Sequence, residues 1–288
     1  MPLMLVDIGN SAIKLNWVSS EVADSVNSPL DATCQSMQIN DWSEFDFKQL
    51  PKKVYYWVTA CVDPVKLHEL SDALDQARRT KDRIRSVDHR LINLEIDVDQ
   101  PEAVGVDRLV GCLAVAQNLA DDEAAIVVDA GTAVTVDLVT GKGVFRGGVI
   151  YPGADASFTQ LNQQTAALPR LDYLARKSMI AAWQESANQL PDGDSLPPWQ
   201  RNTTMAIAAG IYRTQLAGLT DTVNRFRESL PTPLASNCRI VLTGGGIAEL
   251  LIVASVLNCQ PDWIDEADIM PNLIHAGLLS IHHQNNKT

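Results

Sequence analysis

The sequence predicts an α/β fold built from one duplicated unit, and two observations support this. The apolar run Leu3–Val6 ends in an Asp-x-Gly turn and is followed by the alternating stretch Ala12–Val18, a pattern typical of a β-hairpin. The same order of strand, Asp-x-Gly turn and strand begins again at Ala124 and continues to Val139. An internal repeat of this kind indicates two copies of one structural unit.

Helices and further strands are expected between and after the two hairpins. Pro64–Arg79 has apolar residues near a helical spacing, behind a proline that suits a first helical turn. Gly105–Leu119 repeats the helical spacing and carries Asp107 in its first turn. The remaining predicted helices are 154–167, 203–227, 247–256 and 271–282, and the remaining predicted strands are 54–59, 83–87, 143–151 and 239–242. Residues 191–200 are polar and rich in proline, which predicts a loop or insertion.

The composition indicates which kinds of molecule the protein could bind. The 288 residues are 46% hydrophobic and 20% charged, with a formal net charge of -12. Extended anionic partners are bound mainly through clustered Lys and Arg, so we expect no nucleic acid and no membrane partner. A phosphate ligand remains compatible with this charge, because backbone N–H groups, helix N-termini and bound cations can hold it.

The cysteines and the first residues indicate the compartment. The five cysteines are widely spaced, without a Cys-x-x-Cys pair or a histidine at zinc spacing, which argues against a structural zinc site. The chain reaches Asp7 before any apolar stretch attains the length of a signal peptide. We therefore expect a cytoplasmic protein with free thiols.

The first Asp-x-Gly turn has the residue types that phosphoryl transfer needs. That reaction requires a nucleotide held in line with its acceptor and a neutralised negative charge, usually through Mg²⁺ and backbone donors. Gly9 lets backbone N–H groups face the phosphates, Asp7 is a candidate for holding Mg²⁺ directly or through water, and Lys14 can reach the phosphates. Asn10 and Ser11 would add side-chain donors.

The second turn and a later glycine cluster complete the predicted ATP site. Gly131 and Thr132 would approach the phosphates from the opposite side, with Asp129 binding a cation. Gly244 and Gly245 follow a predicted strand, where glycines allow close backbone approach to a ligand. One isolated Asp-x-Gly is typical of an ordinary hairpin turn, but two at equivalent places favour phosphate binding. A Walker-type loop is absent from the sequence.

Asp107 has two interpretations. A carboxylate in the first turn of a helix is favoured by the helix dipole, so Gly105-Val106-Asp107-Arg108 is compatible with a simple helix start. The functional interpretation is that Asp107 accepts the proton of an acceptor hydroxyl while Arg108 holds an anionic group of the acceptor.

These motifs, taken together, resemble type III pantothenate kinases, which belong to the superfamily of acetate and sugar kinases, heat-shock ATPases and actin. The ordered set spans nearly the whole chain. It comprises Asp7-x-Gly-Asn-Ser-x-x-Lys14, Pro101-x-x-x-Gly105-x-Asp107-Arg108, Asp129-x-Gly-Thr-Ala-x-Thr135, Gly147-Gly148-x-Ile150-x-Pro152-Gly153, Thr165-Ala166-x-Leu168-Pro169, Asn202-Thr203 and Gly244-Gly245-Gly246.

The resemblance implies both a fold and a reaction. The fold would be two RNase H-like domains, as in actin-like ATPases, each with a mixed five-stranded sheet flanked by helices, and we expect them at 1–120 and 121–288. The reaction would be phosphorylation of pantothenate by ATP to 4′-phosphopantothenate, the first step of coenzyme A synthesis. The resemblance also implies a homodimer with its active site near the dimer interface.

The resemblance further implies roles for single residues. Asp107 would be the proton acceptor, and Asp129 would help bind a monovalent cation, K⁺ or NH₄⁺, that is used beside Mg²⁺. The implied ATP-binding residues are Asp7, Ile8, Gly9, Asn10, Ser11, Ala12, Ile13, Lys14 and Thr132. The implied pantothenate-binding residues are Gly105, Val106, Asp107, Arg108 and Thr203. This chain departs from the family pattern at Val98, where members tend to have Tyr, and in a longer stretch at 170–201.

Two other functions stay open from sequence. A kinase of the same superfamily could act on a sugar or a short-chain acid, and turnover of a compound panel would distinguish it. A regulator that binds nucleotide without turnover has no need of a base, so Asp107 and Arg108 argue against that class.

Overall fold

A computed structural model of the chain describes residues 2–18, 35–191 and 194–285. The strands in these ranges are β1 (Leu3–Ile8), β2 (Ile13–Val18), β3 (Gln35–Ile39), β4 (Tyr56–Cys61), β5 (Arg83–Ser86), β6 (Glu95–Ile96), β7 (Ala124–Ala130), β8 (Ala133–Thr140), β9 (Val144–Pro152), β10 (Cys238–Thr243) and β11 (Asp268–Ile269). The α-helices are α1 (Pro64–Gln76), α2 (Val106–Ala116), α3 (Ala154–Gln164), α4 (Tyr173–Asn188), α5 (Thr203–Ser229), α6 (Thr232–Ser236), α7 (Ile247–Val256) and α8 (Leu273–Asn285). In the parts of the chain so described, no helix is long and apolar enough to span a membrane.

The first sheet has five strands in the order β3-β2-β1-β4-β5. Strands β1 and β2 form the predicted antiparallel hairpin, and their register places Asp7 opposite Lys14. Strand β4 runs parallel to β1 on its other side, and β5 runs parallel to β4. The sheet is therefore mixed, as predicted, and the Asp7 turn lies at the end of its central strand.

The second sheet repeats this order and confirms the duplication. Its strands follow the order β11-β10-β7-β8-β9-β6, so β9-β8-β7-β10-β11 matches β3-β2-β1-β4-β5 strand for strand. The two Asp-x-Gly turns follow the equivalent strands β1 and β7. The prediction of five strands was wrong for this sheet, because the two-residue strand β6 adds a sixth beside β9. Such a short strand leaves no periodic signal in the sequence.

Both faces of the first sheet are covered. On one face, Trp42, Phe47 and the α1 residues Leu70 and Leu74 join the buried cluster around Trp57. On the other face, α8 packs against β1 and β4, and α2 packs against α8 and β4. A strand buried on both faces reads as a continuous apolar run, which is the pattern of Leu3–Val6.

Two glycines allow α2 and α8 to pack closely. A Cβ atom on Gly277 of α8 would lie 2.2 Å from the Val110 carbonyl oxygen of α2. A Cβ on Gly111 of α2 would meet the Ile274 side chain at 3.3 Å. Because the obstacle at Gly277 is backbone, a larger residue there would push the two helices apart.

The insertion at 170–201 contains a helix that was not predicted. Helix α4 buries Arg176, Met179, Ile180 and Trp183. Arg176 is 4% exposed, forms ion pairs with Asp155 of α3 and Glu249 of α7, and lies 5.3 Å from the centre of the Phe158 ring. Helix α4 is thus fixed to its neighbours by a buried cation. Residues 194–200 contain no helix or strand, which agrees with the loop predicted at 191–200.

Several predicted ends differ from the observed ends. Helix α3 ends at Gln164 rather than at residue 167. Pro169 disfavours a helical conformation of the residue before it, and Asn162 Nδ2 donates to the Leu168 carbonyl at 2.8 Å. Helix α2 ends at Ala116 rather than at residue 119, and α8 continues to Asn285, beyond its predicted end at residue 282. The edge strand β3 was missed because its mostly polar sequence lacks clear alternation.

Packing divides the chain into two compact units. One comprises Met1–Ala125, Asp137–Gly147 and Asn272–Thr288, and the other comprises Ile126–Val136 and Gly148–Pro271. The last helix therefore packs with the first half of the chain, far from it in sequence. Of the cysteines, Cys61, Cys112, Cys238 and Cys259 are free, while Cys34 lies outside the described residues.

We expect the substitution Gly277→Ala to destabilise the protein by about 1–3 kcal/mol or more, because it overpacks the contact between α2 and α8. Gly210→Ala is the matched control, since a Cβ at this site in α5 has nothing within 4 Å. The control should stabilise the protein by up to about 1 kcal/mol through helix propensity. Urea unfolding measures both, and equal effects would contradict the close packing.

Candidate active site

The first turn joins β1 to β2 and leaves a tight backbone loop at residues 9–12. The Gly9 N–H donates to the Ala12 carbonyl at 3.0 Å, and a Cβ on Gly9 would lie 3.2 Å from that oxygen. Asn10 and Ser11 are exposed at the tip. This places the predicted ATP-binding residues 7–14 in one hairpin.

Asp7 lies at the base of this turn in a shielded environment. Its side chain is 13% exposed, and its Oδ2 atom lies 3.7 Å from Lys14 Nζ. Burial raises the pKa of Asp7 to about 6, the neighbouring Lys14 opposes this rise, and the Asp107 carboxylate adds to it. A buried carboxylate that one lysine only partly compensates is a suitable partner for a bound cation.

His275 of α8 supports the strand that carries Lys14. Its Nε2 atom lies 3.2 Å from the Lys14 carbonyl oxygen, and its ring is 3% exposed. Burial lowers the pKa of His275 to about 4, so the ring is neutral at neutral pH.

Lys66 also reaches the first turn and was missed from sequence. Its Nζ atom donates to the carbonyl oxygens of Gly9 at 3.1 Å and Asn10 at 2.8 Å. Lysines at exposed helix positions are common, and 56 residues separate Lys66 from Asn10 in the chain. No local pattern could have indicated this contact.

Asp107 lies in the first turn of α2, after the N-cap residue Gly105. Its Oδ1 atom accepts a hydrogen bond from the Arg108 N–H at 2.9 Å. A Cβ on Gly105 would lie 2.5 Å from this oxygen, so a larger residue at position 105 would displace the Asp107 carboxylate. Asp107 therefore lies at the start of the helix, as the first interpretation has it, and is close enough to raise the pKa of Asp7. Its role as a proton acceptor stays a prediction.

Arg108 points toward a partner that the sequence did not reveal. Its Nε atom donates to Asp137 Oδ2 at 3.1 Å, and its Nη2 atom donates to Asp137 Oδ1. Asp137 on β8 is 1% exposed, and the guanidinium lies 5.7 Å from the centre of the Phe145 ring. Two of the three guanidinium nitrogens are thus committed to a buried carboxylate, which restricts how Arg108 could bind an acceptor.

The second turn carries Asp129, Gly131 and Thr132 between β7 and β8. The Gly131 N–H donates to the Ala133 carbonyl at 2.9 Å, and Gly131 and Thr132 are exposed. The Gly153 N–H donates to the Thr132 carbonyl at 3.0 Å. A Cβ on Gly153 would lie 2.3 Å from the Gly131 carbonyl oxygen, so this motif glycine allows the close approach.

The glycine cluster after β10 packs directly on the second turn. The Gly246 N–H donates to the Ala130 carbonyl at 2.8 Å. Gly244 has a φ of 96°, and a Cβ there would lie 2.3 Å from Asp129 Oδ1. The structure therefore brings together the residues predicted separately around Asp129 and around Gly244.

Two further positions were singled out from the sequence, Thr203 and Val98. Thr203 is exposed at the first position of α5, where Asn202 Oδ1 caps the helix by accepting from the Met205 N–H at 2.8 Å. Val98 contacts another motif residue, since its Cγ1 atom lies 3.3 Å from the place of a Cβ on Gly147.

No group of three or more His, Cys, Asp or Glu side chains within residues 2–18, 35–191 and 194–285 could hold a metal ion alone. Each of the two turns offers a single aspartate instead. Such sites suit a cation that the nucleotide brings with it, because phosphate oxygens and water complete its coordination.

Comparison with known proteins identifies the family. The model of the family described as type III pantothenate kinase matches residues 3–225. The chain belongs to the type III pantothenate kinase family. A type III pantothenate kinase of Rhodopirellula baltica is 30% identical over 298 residues, which cover 96% of this chain and 97% of the relative. A type III pantothenate kinase of Cupriavidus pinatubonensis is 29% identical over 262 residues, covering 85% and 88%.

Membership in this family establishes the reaction. A type III pantothenate kinase uses ATP, with a divalent metal, to phosphorylate pantothenate in the first step of coenzyme A biosynthesis. The prediction drawn from the ordered motifs is confirmed. A solved structure of a reductive activator for a corrinoid, iron-sulfur protein has a TM-score of 0.54 at 11% identity, with 100% of this chain matching 62% of that chain, which shows the shared fold alone.

The raised pKa of Asp7 predicts how stability depends on pH. The folded state favours the protonated form of Asp7, because the charged carboxylate is buried. The free energy of unfolding of the ligand-free kinase should therefore fall by up to about 3 kcal/mol as pH rises from about 4 through about 6 and Asp7 loses its proton. Asp7→Asn should lack this step and exceed wild type in stability above pH 6. Urea unfolding from pH 4 to 8 measures the difference, and parallel curves for both proteins would contradict it.

We expect Gly244→Ala to weaken nucleotide binding by the kinase and to destabilise it by about 1–3 kcal/mol, through a strained φ and a clash with the second turn. Gly245→Ala is the matched control for stability, because a Cβ there has nothing within 4 Å. Thermal unfolding and titration with ADP and Mg²⁺ check both variants. Equal destabilisation by the two substitutions would show that the contact with Asp129 is unimportant.

Proposed function

We propose that this kinase transfers the γ-phosphoryl group of ATP in line to the primary hydroxyl of pantothenate, with Asp107 as general base. The observation that carries this mechanism is the position of Asp107 in the first turn of α2, where its charge raises the pKa of Asp7. Asp107 and the first turn belong to one compact unit. A base on the acceptor side and the ATP-binding hairpin thus share one electrostatic environment.

The hairpin 7–14 would bind the phosphates of ATP. Backbone N–H groups at residues 10–12 and the Asn10 and Ser11 side chains would be donors, and Lys14 adds a positive charge beside Asp7. Mg²⁺ bound with ATP neutralises phosphate charge, and Asp7 would hold it directly or through water. The shielded carboxylate of Asp7, with its raised pKa, fits this role because a cation relieves its buried charge.

The second turn would also take part in binding the nucleotide. Gly131, Thr132, Gly244 and Gly245 would contact ATP, and Asp129 would bind a monovalent cation, K⁺ or NH₄⁺. Support comes from the glycine cluster lying against Asp129, where Gly246 fixes the end of β7 through the Ala130 carbonyl.

Pantothenate would bind at the start of α2. Gly105 and Val106 would contact the substrate through the backbone, and Arg108 would use its remaining nitrogen, Nη1, for the substrate carboxylate while Asp137 holds the other two. Thr203 would contact pantothenate across the interface of a homodimer, a role that its exposure at the start of α5 permits.

The domain organisation and the compartment complete the proposal. Domains at 1–120 and 121–288 follow the repeat in the sequence, with α8 returning to pack on the first sheet. The kinase would work in the cytoplasm, a reducing compartment in which cysteines such as Cys61 remain free thiols.

Asp107→Asn should lower kcat for pantothenate by about 10²- to 10⁴-fold, because the amide cannot accept the hydroxyl proton. The KM for ATP should stay unchanged. An assay that couples ADP release to absorbance, run with pantothenate in the presence and absence of K⁺, measures both constants.

Glu102→Gln is the control for Asp107→Asn, because Glu102 is an exposed carboxylate in the turn before α2. It should keep wild-type rates. Full activity of the Asp107→Asn enzyme would refute the general-base assignment, and absence of wild-type turnover with and without K⁺ would refute the proposed reaction for this chain.

A further inference from the structure

Lys66 is joined to the first turn by a contact that the mechanism above does not use. It lies in the first turn of α1, and its ammonium donates to two consecutive carbonyls, those of Gly9 and Asn10, at 3.1 and 2.8 Å. The ammonium therefore sits against the backbone of the hairpin that would bind the phosphates. Ammonium-to-carbonyl hydrogen bonds are charge-assisted and stronger than neutral ones.

The backbone of Lys66 is itself anchored. Asp63 caps α1 and accepts hydrogen bonds from the Val65 N–H at 3.0 Å and the Lys66 N–H at 3.4 Å. On the other side, the buried Trp42 donates its indole N–H to the Lys66 carbonyl at 2.7 Å. The ammonium is thus presented from a fixed point rather than from a free helix end.

Peptide planarity converts this contact into an orientation of donors. In a trans peptide the C=O and N–H point in opposite directions, and the carbonyls of Gly9 and Asn10 share their peptide units with the N–H groups of Asn10 and Ser11. By drawing both carbonyls to one side, Lys66 turns these two N–H groups to the other side. Two adjacent N–H groups that point the same way form an anion-binding concavity.

The Gly9 N–H takes no part in this arrangement, because it donates within the turn to the Ala12 carbonyl. The N–H groups that Lys66 orients are therefore the ones at the exposed tip, beside Asn10 and Ser11. Without the ammonium, each of these two peptide units could rotate and take its donor away from the phosphates.

We propose that Lys66 is a positioning residue of the nucleotide site, which orients the Asn10 and Ser11 N–H groups toward the phosphates of ATP. The inference rests on the proposed function of the hairpin 7–14 in binding ATP. Lys66 acts through the turn and need not touch the nucleotide. A lysine in α1 thereby sets the affinity for ATP without taking part in the chemistry.

The test compares Lys66→Met, which keeps most of the side-chain length without the ammonium, with Lys66→Arg, which keeps the charge and several N–H donors. Lys81→Met is the matched control, since Lys81 is exposed and the same charge is removed. Full-length proteins are titrated calorimetrically with ADP and Mg²⁺, which reports nucleotide affinity independently of turnover. The KM values for ATP and pantothenate and the thermal unfolding midpoint are measured alongside.

We expect Lys66→Met to raise the Kd for ADP and the KM for ATP by about 10- to 100-fold, because one or two charge-assisted hydrogen bonds from the N–H groups of the turn to the phosphates would be weakened. The KM for pantothenate and the unfolding midpoint should stay at wild-type values, and Lys66→Arg should restore most of the affinity. Lys81→Met should match wild type throughout.

Three results would overturn the proposal. The first is an unchanged Kd for ADP in Lys66→Met, and the second is an equal rise of this Kd in Lys81→Met. The third is a Lys66→Met protein in which both KM values rise and the unfolding midpoint falls, with no recovery in Lys66→Arg. A wild-type protein that binds ADP but does not phosphorylate pantothenate would refute the proposed reaction and leave the Lys66 comparison intact.

Discussion

The burial of Asp7 at the end of β1 is the constraint on which the candidate site depends. The strand is central in its sheet and covered on both faces, so its last carboxylate is withdrawn from water while the following turn reaches the surface. Lys14 stands opposite in the hairpin register and compensates only part of the cost. A folded protein that keeps such a carboxylate is poised to take up a cation, and a nucleotide can deliver one.

The second turn is held in place by close approaches at glycine. Gly244 and Gly246 lie on Asp129 and Ala130, and Gly153 lies on Gly131, with no space for a Cβ at Gly244 or Gly153. These contacts keep the backbone of the turn in place without side chains that would fill the ligand's space. The duplication produced two turns of similar sequence, but different groups hold the two turns in place. The first is held by charged groups, Lys14 and Lys66, and the second by packed backbone.

Arg108 shows how a residue assigned from a motif acquires a more specific role in the folded protein. The motif places a cation beside Asp107, and the structure commits most of that cation to the buried Asp137. Breaking such a pair from one side leaves an uncompensated buried charge. The pair thereby fixes the first turn of α2 and, with it, the direction of the proposed base. The insertion helix α4 uses the same device, with Arg176 between Asp155 and Glu249.

The sequence by itself determined the family, the duplicated order of strands and turns, and nearly every long element, because hydrophobic periodicity and Asp-x-Gly turns are local signals. It missed β3, β6, β11, α4 and α6. The three strands are short or polar, α4 is anchored by a buried arginine, and α6 has only five residues. Only the tertiary structure decided that Lys66 meets Gly9, that Asp137 meets Arg108 and that Gly244 meets Asp129. Each of these contacts joins distant parts of the chain, and sheet order and helix packing, which no local pattern encodes, bring them together.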